Sequence, residues 1–145
     1  MLNAAPEKIR LIPDEWHILN VGRLSDGRLF WVDGQLDFAE GQTEDFVCTF
    51  VFDQDGALIE NSIELIGTRG EYPNGSVGLA IERHVVALGE HTKADIWIRP
   101  FQVERDGVVF GLVPRRLPDG EWRGEFIPGN TLSFYAPWEQ GEYDT

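Results

Sequence analysis

The sequence holds a single cysteine, Cys48, among 145 residues. No intramolecular disulfide is available to it, and a cysteine-based zinc site is excluded. Long apolar runs are missing too, since none approaches the ~18 residues needed to cross a bilayer. The opening MLNAAPEKIRLIPDEW interrupts its apolar residues with charges and prolines, so it does not read as a secretory leader, and a cytoplasmic location is expected. Positive charge is the scarcest commodity. Lys and Arg total 12 against 25 Asp and Glu, a net charge of -13, and no basic residue occurs between Arg28 and Arg69. Such a field repels phosphate backbones and anionic membranes, which argues against nucleic-acid and membrane partners. It would instead draw in a basic protein.

What is present is the punctuation of a β protein. Asp-Gly occurs at 26–27, 33–34, 55–56, 106–107 and 119–120, and this dipeptide supplies the positive-φ positions of tight hairpin turns. The stretch Ala94–Val113 reads as two strands folded at Asp106-Gly107, with Phe101 facing Leu112, Val103 facing Phe110 and Arg105 facing Val108. A one-residue slip would turn its apolar side chains to the wrong face, which fixes the register. Further strands are read near 18–24, 28–32 (with an extension to 38), 44–53, 57–66, 121–127 and 131–135. The strand at 44–53 carries Phe46, Cys48, Phe50 and Phe52 on one face and Val47, Thr49 and Val51 on the other, so it reads as central and covered on both sides. Cys48 is then a small core residue.

One helix is predicted over 76–88, where Val77, Ile81, Val85 and Leu88 recur at helical spacing with Ala80 and His84 beside them. Asn74 or Ser76 is placed to cap its start and Gly89 its end. Residues 1–14 read as an irregular lead-in, Pro114–Pro118 as a kinked edge, and 136–145 as an acidic, aromatic tail docked through Trp138. Trp97 is expected on the helix side of its strand. The sum is a single α+β domain: an antiparallel meander of about seven or eight strands with one helix across a face, in two layers.

Chemistry is not signalled. His17, His84 and His91 show no ligand spacing, the serines lack a nucleophile-elbow context, and the glycine-rich segment after residue 67 lacks a phosphate-loop lysine. Asp53 and Asp55 resemble a calcium loop but fit a hairpin turn better. No cofactor, metal or catalytic residue is expected. The candidate residues form a protein interface instead: Asp33, Asp37, Glu40, Glu44, Asp45, Asp53 and Asp55 from the base-free region, with Trp122 as an exposed aromatic anchor. An enzyme built from acids of residues 33–64 with His17 or His91 is the alternative of a different class, and it requires a concave pocket holding a strongly shifted carboxyl.

The segments IWIRPF (96–101), VERDGVVFGLV (103–113) and PWEQGEYDT (137–145), with VGRLSDGRLFW (21–31), resemble a bacterial family, common in actinomycetes, labelled formate hydrogenlyase regulatory protein HycA. The resemblance implies a regulatory role and brings no catalytic residues. The reading is a non-catalytic protein-binding or regulatory module meeting a basic partner, with an immunity- or antitoxin-like inhibitor of a basic toxin as its variant.

Overall fold

The computed structural model describes residues 4–38 and 41–145. They form one α+β domain of three antiparallel sheets and one helix. In chain order the strands are β1 (Ile9–Leu11), β2 (Asn20–Leu24), β3 (Leu29–Asp37), β4 (Glu44–Phe52) and β5 (Leu58–Thr68), followed by the helix α1 (Ser76–Ala87). Then come β6 (His91–Lys93), β7 (Ile96–Ile98), β8 (Phe101–Arg105), β9 (Val108–Arg116), β10 (Trp122–Ile127), β11 (Ser133–Tyr135) and β12 (Tyr143–Asp144). One sheet has the order β5-β4-β3-β2-β6, a second β12-β11-β10-β9-β8, and β1 pairs with β7. No helix of the described residues is long and apolar enough to cross a membrane.

The layers number three rather than two, because the second five-stranded sheet covers the side of the first that α1 leaves open. Trp31, Phe46, Phe50 and Phe52 meet Phe110, Leu112, Phe126 and Phe134 between the sheets. Ring centroids there approach to 4.4 Å for Trp31–Phe126 and 5.0 Å for Phe46–Phe110. Across the other face, Phe30, Val32, Val47 and Val51 pack against Ala80, Val77, Ile81 and Val85 of α1. β4 therefore lies in the middle of the molecule, buried from Asp45 to Phe52. Burial pushes the Cys48 thiol well above its ordinary pKa.

The 101–112 hairpin has the predicted register, Phe101 with Leu112, Val103 with Phe110 and Arg105 with Val108. Asp106 and Gly107 both take positive φ at its turn. The stretch before it departs from expectation. Pro100 lacks an N–H, the run breaks at Arg99-Pro100, and Ile96–Ile98 leaves to pair with Ile9–Leu11. The lead-in thus contributes a strand, and Trp97 faces solvent, 39% exposed, while Ile96 and Ile98 are fully buried. Asp33-Gly34 is not a turn, since β3 runs straight through it in register with Cys48 and Val47. Pro114 likewise lies within β9, paired with Gly124 and beyond the last residue matched to β8, where a missing N–H costs no ladder bond.

The helix matches its predicted span closely. Its N-cap is Gly75 in the left-handed region with no side-chain cap, and the Ser76 hydroxyl donates to the Pro73 carbonyl at 2.6 Å instead. Gly89, at φ 75°, follows the C-cap as expected. At the C-terminus Trp138 and Tyr143 pack partly buried against the inter-sheet core, and β12 adds a short strand beside β11.

Candidate functional site

The α1-facing side of β4 carries Val47, Thr49 and Val51, opposite Glu64, Ser62 and Glu60 of β5. The helix covers the valine side of this strip and stops short of the β5 margin, leaving a cleft of about 420 Å3 between α1 and β5. Four side chains organise its floor. The Thr49 hydroxyl lies 2.7 Å from His84 Nδ1, and His84 Nε2 lies 2.9 Å from a Glu64 carboxylate oxygen. Arg83 grips the same carboxylate with both terminal nitrogens at 3.2 and 3.0 Å. A carboxylate only accepts, so Nε2 bears the proton, and in the neutral ring Nδ1 accepts from Thr49. The hydrogen bonds from Arg83 and then His84 hold the Glu64 carboxyl below its usual range, outweighing burial.

This hydroxyl–imidazole–carboxylate chain fixes the tautomer and orientation of His84 and pins α1 to two strands at once. Chemically it is able to pass a proton between Thr49 and Glu64. Among the described residues no group of three or more His, Cys, Asp or Glu side chains is placed to hold a metal ion.

The outer margin of the cleft is β5 itself. It is eleven residues long and among the described residues pairs only with β4, so its far edge presents unpaired backbone N–H and C=O groups. Ile59 and Leu65 are 49% and 53% exposed along it. Register shifts interrupt the β4–β5 ladder near both ends.

The acidic residues singled out in the sequence are not gathered on one face. Asp37 and Glu44 face each other at one end of the β3–β4 pair. Asp53 and Asp55 lie past the other end of β4, about 26 Å away at the usual rise per strand residue, several screening lengths apart. Asp45 is buried and engaged: burial would raise its pKa, but Arg69 at 2.7 Å and the Tyr72 hydroxyl hold it down. Asp53 accepts the Asp55 and Ala57 N–H groups within its turn, and Asp55 pairs with Arg99 and Lys8 at 2.7 and 3.0 Å. Asp33 points between the sheets, where the Trp31 indole and the Gly34 N–H donate to it. Glu40 lies outside the described residues. Trp122 opens β10 half-buried and lines a separate cleft of about 310 Å3 with Tyr135 and Trp138.

His91 Nδ1 donates to the Gly89 carbonyl, 2.7 Å away, and the ring packs edge-on against Phe30. The partnership of His84 with Glu64 and Thr49 is what sequence reasoning missed. Its only signal was a histidine flanking the apolar stripe of α1 and a facing strand that stays polar as far as Glu64. Compared with protein-family models, curated proteins and solved structures, the chain has no match.

Proposed function

We propose that the chain is a non-catalytic protein-binding module that receives an extended, basic segment of its partner along the free edge of β5. The carrying observation is the eleven-residue strand with a single neighbour among the described residues, lying beside a polar cleft. An added strand gains main-chain hydrogen bonds, and its side chains alternate between two faces. On the α1 side they meet Glu60, Ser62 and Glu64; on the other they meet Leu65. Basic residues on the first set and an apolar residue on the second complement that pattern, and the net charge of -13 speeds approach of a basic partner. A regulatory role in the cytoplasm fits the same reading.

The test compares the wild type with Glu60→Lys/Leu65→Lys, which places two cations along the edge, in pulldowns from the native cell lysate at low and high salt. One basic protein retained by the wild type at low salt and lost by the variant supports the proposal. Equal retention by the variant sinks it. A second reading, that the cleft is catalytic, is favoured by the Thr49–His84–Glu64 chain alone. It requires turnover of an acyl ester that Thr49→Val abolishes without unfolding the protein.

A further inference from the structure

Asp33 differs from Asp45, Glu64 and Glu125, and it lacks the four donors that satisfy Asp14. Asp45 is paired with Arg69, Glu64 with Arg83 and His84, and Glu125 with Arg115. Among the described residues Asp33 has no cation within ion-pair distance. Among the described residues its two oxygens accept only the Gly34 N–H at 2.8 Å and the Trp31 indole N–H at a long 3.3 Å. A carboxylate largely withdrawn from water without a counter-charge is costly.

The same residue lines a cleft of about 230 Å3 at one end of the inter-sheet layer, formed by the strap before β2 and the turn between β10 and β11. Leu132 and Thr131 make one wall. Trp16, 78% exposed, and Leu19, 43% exposed, make an apolar rim together with His17. The cleft therefore offers one deep negative group and an apolar, aromatic mouth. Its volume takes a ligand of few heavy atoms.

We propose that this cleft binds a small organic ammonium ion, with the ammonium against the Asp33 carboxylate and the hydrocarbon body against Trp16 and Leu19. A cation supplies the missing counter-charge, and an indole face adds attraction of its own. An anion would meet Asp33 and Asp14, and a neutral alcohol would leave the carboxylate uncompensated. This inference is independent of the β5 edge, since Asp33 lies on the central strand β3, with β4 between it and β5.

Protonation provides a second handle. Burial, chiefly, with a contribution from the Asp14 charge, pushes Asp33 up to about 7 against the Gly34 and Trp31 hydrogen bonds. The titratable groups around it are Asp14 and His17 on the strap, Tyr143 of β12, and Cys48, its register partner on β4. Tyr143 and Cys48 are both shifted upward and stay neutral near pH 7. An alkylammonium also keeps its charge there, so binding should strengthen as Asp33 ionises.

The experiment titrates the full chain with 2-phenylethylammonium, its neutral isostere 2-phenylethanol and Nα-acetyl-lysine methylamide, read by amide NMR shifts and tryptophan fluorescence at pH 6 and pH 8. The proposal expects the free amine to bind at least tenfold more tightly than the alcohol. It also expects the affinity to rise about tenfold from pH 6 to pH 8, the change in ionised fraction of a group titrating near 7. Asp33→Asn should lose at least tenfold, Trp16→Ala severalfold, and the exposed Asp55→Asn nothing. Melting curves establish that each variant is folded. Equal binding by Asp33→Asn, equal binding of the alcohol, or no saturable shift at millimolar amine overturns it. Tighter binding of the lysine amide overturns the free-amine form in favour of a side chain from another protein.

Discussion

The Thr49 hydroxyl lies 2.7 Å from His84 Nδ1, joining the middle of the most buried strand to the inner face of the only α-helix among the described residues. Both side chains are at least nine-tenths buried, so the Thr49 hydroxyl and His84 Nδ1 depend on each other for a hydrogen-bond partner, while Nε2 has Glu64. His84→Ala strands Thr49 and frees Glu64 to Arg83 alone. A loss of about 2–3 kcal/mol is expected, against about 1 for Thr49→Val. Urea denaturation of both singles and the double measures the coupling. Additive losses would mean that the contact is energetically idle.

Asp33 ties stability to pH with an unusual sign. Its carboxyl titrates at about 7 in the fold and near 3.9 in an unfolded chain. Between these values the folded state binds more protons, so this residue lowers stability as pH rises from about 4 to about 7, with no further change above. Asp33→Asn should remove that slope and gain on the order of 1–2 kcal/mol at pH 8, after allowance for its partial access to water. Denaturation midpoints at pH 5 and pH 8 check it, and an unchanged slope in the variant would contradict the burial argument.

Asp14 runs the other way. Burial would raise it, but the Tyr143 hydroxyl and the Trp16, Ile18 and His17 N–H groups hold it at about 2. Its contribution is present above the unfolded pKa near 3.9 and is lost as pH falls toward 2. Tyr143→Phe is expected to cost about 1 kcal/mol at pH 7 and less at pH 2. A cost independent of pH would show that ring packing, not the hydroxyl, is what Tyr143 provides.

Gly22 sits where β6 pairs with β2, opposite Lys93. A Cβ there would fall 1.9 Å from the Thr92 carbonyl oxygen and 2.9 Å from the Lys93 Cα, both backbone atoms with no side-chain freedom to yield. Gly22→Ala should detach the three-residue edge strand β6 at a cost of about 2 kcal/mol. Amide exchange would report it as lost protection confined to residues 20–24 and 91–94, and unchanged protection there would refute the close approach.

The parts of the fold legible in the sequence are those whose signal repeats. Alternation over 101–112, centred on an Asp-Gly turn, gave the hairpin register, and the spacing of Val77, Ile81, Val85 and Leu88 gave the helix and its buried face. Phe46 to Phe52, apolar on both faces, marked β4 as central. Three-residue strands such as Ile9–Leu11 and Ile96–Ile98 hold too few residues for a period, so their pairing was invisible. The dipeptide rule failed at Asp33-Gly34 because β4 supplied a register partner across the whole of β3. Both clefts are convergences of distant segments: Glu64 with His84, and Asp33 with Trp16 and Leu132. Composition carries no trace of such meetings.

The burial of β4 on both faces also sets where this chain is able to vary. Apart from Thr49 and Val51, which line the cleft beside α1, the residues from Phe46 to Phe52 are held between two packed layers, so a change of volume on one side has no solvent margin into which to relax. The outer surface of α1, where Leu79 and Val86 stand 62% and 78% exposed, is under no such restriction. Lineages of this protein should therefore drift along the helix exterior while β4 changes only through paired substitutions, a neighbour in one layer shrinking as the strand residue grows.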